Sequence, residues 1–315
     1  MLKLMRKIPA GTVLVPMLIS ALINTFAPNF FKSLGGLSET LFTGKGTNYL
    51  VALVTLCAST ALDIKTLGHV LKKQGLLMAV KFGLAAILGF IYIKLFGMEG
   101  ILGVSAIAFV VGMCAINPSL YLGLMNDYGT KEDEAAFGFV GIFCVPAISV
   151  LVFSTSHATP IDWMPLLSAL FLVIIGVIIG NLDKDLGKFL GQVVGPLTIF
   201  LGIAAGSTIN LKSAFKSGPS GILLVIFFYL FIMTAMYLFE TKALKSNGIA
   251  AVGLSAAAGL NVVVPNMIAE IYPEYASYAA TATTQLVMAV VITAILTPIM
   301  VKYLAKKKGI SRRGL

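Results

Sequence analysis

An all-α membrane protein of about ten crossings, built as two inverted five-helix repeats, is the fold this sequence predicts. The first observation behind it is composition: of 315 residues, 58% are hydrophobic and only 11% charged, with a mean hydropathy of +0.96. A soluble domain carries about 25% charged residues, so an ordinary water-soluble enzyme is excluded. The second is segmentation. Apolar stretches bounded by charge, Gly or Pro fall at 11–27, 47–62, 75–97, 101–125, 134–156, 164–181, 193–209, 219–240, 249–270 and 277–304, most of them near the roughly 20 residues that a helix needs to cross. The third is self-similarity. Ala58-Ser59-Thr60-Ala61-Leu62-Asp63-Ile64-Lys65-Thr66 matches Ala205-Gly206-Ser207-Thr208-Ile209-Asn210-Leu211-Lys212-Ser213 at an offset of 147, and the same offset carries Gly112 onto Gly259, Pro118 onto Pro265 and Asp127-Tyr128 onto Glu274-Tyr275. Low-complexity apolar sequence has no reason to keep polar positions and a proline together.

The basic start Met1 to Lys7, followed by the apolar run Ile8 to Pro28, reads as a first membrane helix rather than a signal peptide, because many more apolar segments follow. When every Lys and Arg is sorted into alternating loops, 17 fall on one side and 5 on the other, with Lys81 alone inside a helix. That bias places both termini in the cytoplasm and requires an even number of crossings. It also accounts for the net charge of +10, so nucleic acid is not an expected partner. The halves, residues 1–157 and 158–315, then hold five crossings each, and an odd number inserts the second half upside down. Lys65 and its counterpart Lys212 accordingly fall on opposite sides. Inverted repeats are the mark of secondary transporters, whose sites lie near the bilayer midplane at discontinuous helices.

The fourth helix of each half is interrupted, by Gly112-Met113-Cys114-Ala115-Ile116-Asn117-Pro118-Ser119 in the first and by Gly259-Leu260-Asn261-Val262-Val263-Val264-Pro265-Asn266 in the second. Proline lacks an N–H and clashes with the preceding turn, so Pro118 and Pro265, with Gly112 and Gly259, are the expected helix breaks. Freed amides and half-helix N-termini there suit a polar or anionic ligand. Asn117, Ser119, Asn261 and Asn266 are the substrate-binding side chains expected at the crossing. Ser59, Thr60, Ser207, Thr208 and Asn210, ending the second helix of each half, are further candidates; close packing is the alternative reading of such small hydroxyls. On the last helix Thr281, Thr283, Thr284 and Gln285 form a polar patch that suits either the crossing or a packing seam.

Charge inside a membrane is costly and marks function. Lys81 and Asp63 are the candidate coupling groups, against the alternatives of a snorkelling stem for Lys81 and an interfacial cap for Asp63. Glu240 sits near a helix end, and Asp127, Glu132, Asp133 and Glu134 belong to a loop expected to be solvated. The thiols Cys57, Cys114 and Cys144 and the isolated His69 and His157 form no metal-ligand spacing, no catalytic set and no glycine-rich phosphate loop accompanies them, and neither metal, organic cofactor nor enzymatic activity is expected.

Ile8-Pro9-Ala10-Gly11 with Leu14-Val15-Pro16, the run Leu120-Tyr121 through Tyr128-Gly129-Thr130-Lys131-Glu132, the turn Gly180-Asn181-Leu182-Asp183 and the stretch Gly206-Ser207-Thr208-Ile209-Asn210-Leu211 resemble the bacterial 2-keto-3-deoxygluconate permease family along nearly the whole chain. The resemblance implies proton-coupled uptake of that sugar acid across the inner membrane; the alternative is a sodium-coupled or exchange carrier of another small organic anion on the same fold. It also implies kinship with the ten-helix fold of bile-acid/sodium symporters, in which a core domain with two crossed, broken helices moves against a panel domain. The chain departs from the family at Asn117-Pro118-Ser119 and at Phe143-Cys144, where an Asn-Gly-Gly-type sequence and a carboxylate are implied. The bilayer and a small sugar acid are the expected partners; the oligomeric state, a homodimer included, is left open.

Overall fold

The computed structural model describes residues 5, 11–62, 64, 68, 71–144, 146–157, 164–207 and 210–313. Among these the chain is helical, and its one extended pairing is an isolated bridge between Ile101 and Val104. Among the described residues four helices are long and apolar enough to cross a membrane: Lys72–Phe96, Lys184–Ala204, Gly218–Ala243 and Pro273–Lys307. The regular part of the first, Leu76–Phe96, has 21 residues and is therefore about 31 Å long, the thickness of the hydrocarbon layer.

We number the elements that position the site in chain order: α1 Gly11–Phe26, α2 Gly44–Ser59, α3 Leu76–Phe96, α4 Ala106–Cys114, α5 Pro118–Tyr128, α6 Lys131–Ala135, α7 Phe137–Ile142, α8 Pro146–His157, α9 Met164–Leu182, α10 Lys184–Gly206, α11 Leu211–Lys216, α12 Gly218–Ala243 with its two π-turns, α13 Ile249–Gly253, α14 Val264–Ile271 and α15 Ala276–Lys307. The segment 134–156, expected as one crossing, is interrupted: Ala136 and the turn at Phe143-Cys144 separate α6, α7 and α8.

Two packed groups result. In the smaller, α10 lies along α1 and α2, and α9 along α2. Glycine lets these backbones meet: a Cβ at Gly176 would run into the Leu56 carbonyl, one at Gly180 into that of Thr60, and one at Gly206 into that of Met17. The Ser20 hydroxyl donates to the Ile203 carbonyl at 2.7 Å, the Ile64 N–H to Asn181 Oδ1 at 3.2 Å and the Leu211 N–H to Thr25 Oγ1 at 2.9 Å. The larger group packs α3, α4, α8, α12, α14 and α15 around an apolar core in which all of α4 is buried. Gln285 of the expected polar patch is a clamp in this group: its Oε1 accepts from the Ser105 N–H and hydroxyl at the start of α4, and its Nε2 donates to Ser220 on α12.

Candidate functional site: two broken helices that meet

The first break follows from local chemistry. Pro118 has no N–H to give, and the residue before a proline is driven out of helical geometry. Asn117 is accordingly extended, with φ −103 and ψ 99, and caps α5 by accepting the Leu120 N–H on Oδ1 at 3.0 Å. The helix thus stops at Cys114 and restarts at Pro118. With nine residues, α4 is about 14 Å long, half a bilayer. Gly112 is not part of this break. It lies inside α4, where a Cβ would press on Leu224 of α12.

The second break starts earlier in the chain than the proline suggests. The helix ends at Gly253, residues 255–258 are unwound, Gly259 opens a single 3-10 turn over Gly259–Val263, and Pro265 falls in the first turn of α14. Neighbours, rather than a local breaker, take up the freed backbone groups. Thr297 donates to the Ser255 carbonyl at 2.7 Å, Thr293 accepts the Ala257 N–H at 2.9 Å, and Asn261 Oδ1 accepts the Ala258 N–H at 3.0 Å. Asn117 Nδ2 reaches across from the first break to the Ala257 carbonyl at 3.3 Å, so the two interruptions touch. Left unpaired, each buried group would cost about 1–3 kcal/mol.

Lys81 does not snorkel. It is fully buried, its Nζ donates to the Leu254 carbonyl at the end of α13 at 3.1 Å, and it lies 4.8 Å from the centre of the Phe228 ring. Among the described residues no carboxylate pairs with it. When it carries a proton, it places a positive charge in a dry site without an anion, which attracts one.

One turn past the first break, the Tyr121 hydroxyl donates to the Asp133 carbonyl at 2.9 Å and accepts from Gln74 at 3.0 Å. This opens onto a charge cluster. Lys73 lies 2.6 Å from Asp133 and 3.2 Å from Glu240, and Glu240 Oε2 accepts the Ala251 N–H in α13 at 2.7 Å. Both carboxylates are fully buried, contrary to the solvated settings their sequence neighbourhoods suggest. At the same end of the bundle, Arg312 pairs with Asp127 at 3.0 Å, and the Arg313 N–H donates to the Asp127 carbonyl at 2.8 Å.

A cavity of about 510 Å³ lies between the smaller group and α5, lined by Ala58 at the end of α2 and Ala61 beyond it, Leu122 and Asn126 of α5, Glu134, Phe137, and Gly191, Val194 and Gly195 of α10. Its size falls within the roughly 300–1,000 Å³ of small-molecule sites.

Asn117, Asn261 and Lys81 therefore each bond to the backbone of one segment, residues 254–258, and Thr293 and Thr297 bond to it as well without being singled out by the sequence. The hydroxyls ending the second helices do not converge on this point. Ser59 donates to the Thr55 carbonyl, Ser207 to that of Ala204, and Thr60 to those of Cys57 and Gly187, tying α2 to α10. Asn210 is half-buried ahead of α11 and Asn266 is exposed on α14. Asp63 and Thr208 lie outside the described residues, as does the side chain of Ser119.

The family model for 2-keto-3-deoxygluconate permease matches residues 2–310. The chain is 30% identical over 306 residues to the 2-keto-3-deoxygluconate permease of Bacillus subtilis (strain 168), covering 96% of this chain and 92% of that protein. It is 32% identical over 308 residues to that of Enterobacter sp. (strain 638), with 96% and 92% covered, and 33% identical over 306 residues to that of Pectobacterium carotovorum subsp. carotovorum (strain PC1), with 96% of each covered. A match of this extent, on a chain of apolar membrane-spanning helices, places the protein in the 2-keto-3-deoxygluconate permease family, as a multi-pass transporter rather than an enzyme.

Proposed function

We propose that the chain takes up 2-keto-3-deoxygluconate, or a similar sugar acid, with protons across the cytoplasmic membrane of a bacterium. The observation that carries this reading is the meeting of the two unwound segments through Asn117 and the Ala257 carbonyl, since discontinuous helices at mid-membrane are where secondary carriers bind their cargo. The substrate is the one named in the relatives.

In this reading the sugar acid enters from the cavity beside α5, and its hydroxyls and carboxylate are met by Asn117, Ser119, Asn261 and Asn266. Lys81 stands behind the break. Its charge favours an anion at the crossing through the low-dielectric interior without touching it, and links the charge of the cargo to the geometry of the Leu254 carbonyl. Asp63 is the second coupling candidate. The ten-crossing inverted repeat is supported by contacts that recur between the halves with one partner displaced by 147 residues and the other by 156: the Leu56 carbonyl meets Gly176 as that of Ile203 meets Ser20, and the N–H of Ile64 meets Asn181 as that of Leu211 meets Thr25. Residues 1–157 and 158–315 then form the two repeats, both termini are cytoplasmic, and the smaller and larger helix groups serve as panel and core. Alternating access is the movement of one against the other across the cavity beside α5, while the glycine contacts hold the smaller group together as one body.

The test is uptake of labelled 2-keto-3-deoxygluconate into proteoliposomes under an inward proton gradient. Concentrative uptake that a protonophore abolishes, and that is indifferent to replacing sodium by choline, is the expected result. Uptake that needs sodium instead moves the coupling to that ion, and absence of uptake by folded protein overturns the substrate.

A further inference from the structure

We propose that Glu240 carries the coupling proton, as the less firmly held member of the buried Lys73–Asp133–Glu240 cluster; this rests on the proton-driven reading above. The cluster holds two carboxylates and one ammonium, so with all three ionised one negative charge is left over in a buried site. The two acids are not held alike. Asp133 accepts from Lys73 and Gln74 on Oδ1 and from the Thr130 N–H and hydroxyl on Oδ2. Glu240 has the Ala251 N–H on Oε2, while its Oε1 is buried without a hydrogen bond and has only the shared charge of Lys73 at 3.2 Å. Neutralising Glu240 at Oε1 removes the surplus charge, leaves Lys73 wholly to Asp133, and keeps the Ala251 bond. The proton is taken up while the crossing faces outward and is released, as the carboxylate re-forms, to water on the side where Lys73 is partly exposed, so that one proton crosses with each substrate.

The position makes that proton consequential. Glu240 is bonded to α13, the short helix that ends at the second break, and Asp133 is bonded through its carbonyl to Tyr121, in the first turn after the first break. The titratable and charged groups facing Glu240 are Lys73 ahead of α3, Asp133 of α6 and Tyr121 of α5; α13 offers a backbone amide. One change of charge is therefore felt by both half-helices that form the crossing.

The experiment compares two assays of the full chain in proteoliposomes with labelled 2-keto-3-deoxygluconate. Counterflow exchange needs no net proton movement, whereas accumulation under an inward gradient of one pH unit requires it and yields about tenfold concentration for one proton per substrate. The wild type is expected to do both. E240Q is expected to keep counterflow within about threefold, to lose accumulation, and to lose the pH dependence of exchange. E240D is expected to keep accumulation with a displaced pH midpoint, a response that a purely structural carboxylate would not show. An E240Q protein that accumulates like the wild type overturns the proposal, and so does loss of counterflow in both variants. A wild type inactive in counterflow refutes the substrate, and this assignment falls with it; a wild type that exchanges without responding to the gradient refutes coupling and Glu240 together.

Discussion

Asn117 does two things with one amide. Its oxygen caps α5 and its nitrogen satisfies a carbonyl on the other broken helix, so N117A removes a cap worth about 1 kcal/mol and leaves the buried Ala257 carbonyl unpaired at about 1–3 kcal/mol. The purified variant is expected to melt several degrees lower and to transport at least about tenfold less well; a double variant N117A/N261A that transports normally would remove both residues from the site. Lys81→Met keeps most of the length and the apolar stem of the side chain and deletes its amine. If the charge on that amine draws the carboxylate to the crossing, the variant folds, because removing a buried unpaired ammonium offsets the Leu254 carbonyl left without its donor. Its KM for the sugar acid rises about tenfold or more. An unchanged KM would leave Lys81 as a fastener of the Leu254 carbonyl alone.

The two broken helices show what was and was not legible before the structure. The first break is written locally: Pro118 with Asn117 before it is enough, and the structure has it where the sequence places it. The second is not, because nothing in Ser255-Ala256-Ala257-Ala258 forbids a helix. What holds it open are Thr293 and Thr297, 36 and 42 residues from the groups they bond. Their four-residue spacing on one face of α15 is the available signal, and the patch from Thr281 to Gln285 is the more polar one. The burial of Asp133 and Glu240 is hidden for the same reason. Asp133 stands among charged neighbours and Glu240 at the end of an apolar helix, while their partners Lys73 and Gln74 come from about 60 residues away or more. The paired substitution T293V/T297V is isosteric and strips both partners. It is expected to destabilise the protein by about 2–5 kcal/mol, with a correspondingly lower melting temperature in detergent, whereas T281V/T284V is expected to change it little.

At the scale of the whole molecule, two helix groups, with a cavity between the smaller one and α5, are what a carrier needs in order to move. Gly191 lines that cavity without filling it. G191W is expected to leave the melting temperature unchanged and to lower uptake at least about tenfold, by blocking the approach of α10 to α5; uptake at the wild-type rate would show that the cavity does not close during the cycle. By contrast, G180L has no room at all, since its side chain would meet the Thr60 carbonyl, and poor recovery of folded protein is expected. The far end of the chain carries a last consequence. Arg312 and Arg313 are fastened to Asp127, the penultimate residue of α5, so the tail follows whatever that half-helix does. A fluorophore on Ser311 would then report on a helix otherwise sealed inside the protein, and a bulky C-terminal fusion would act as ballast on the moving part.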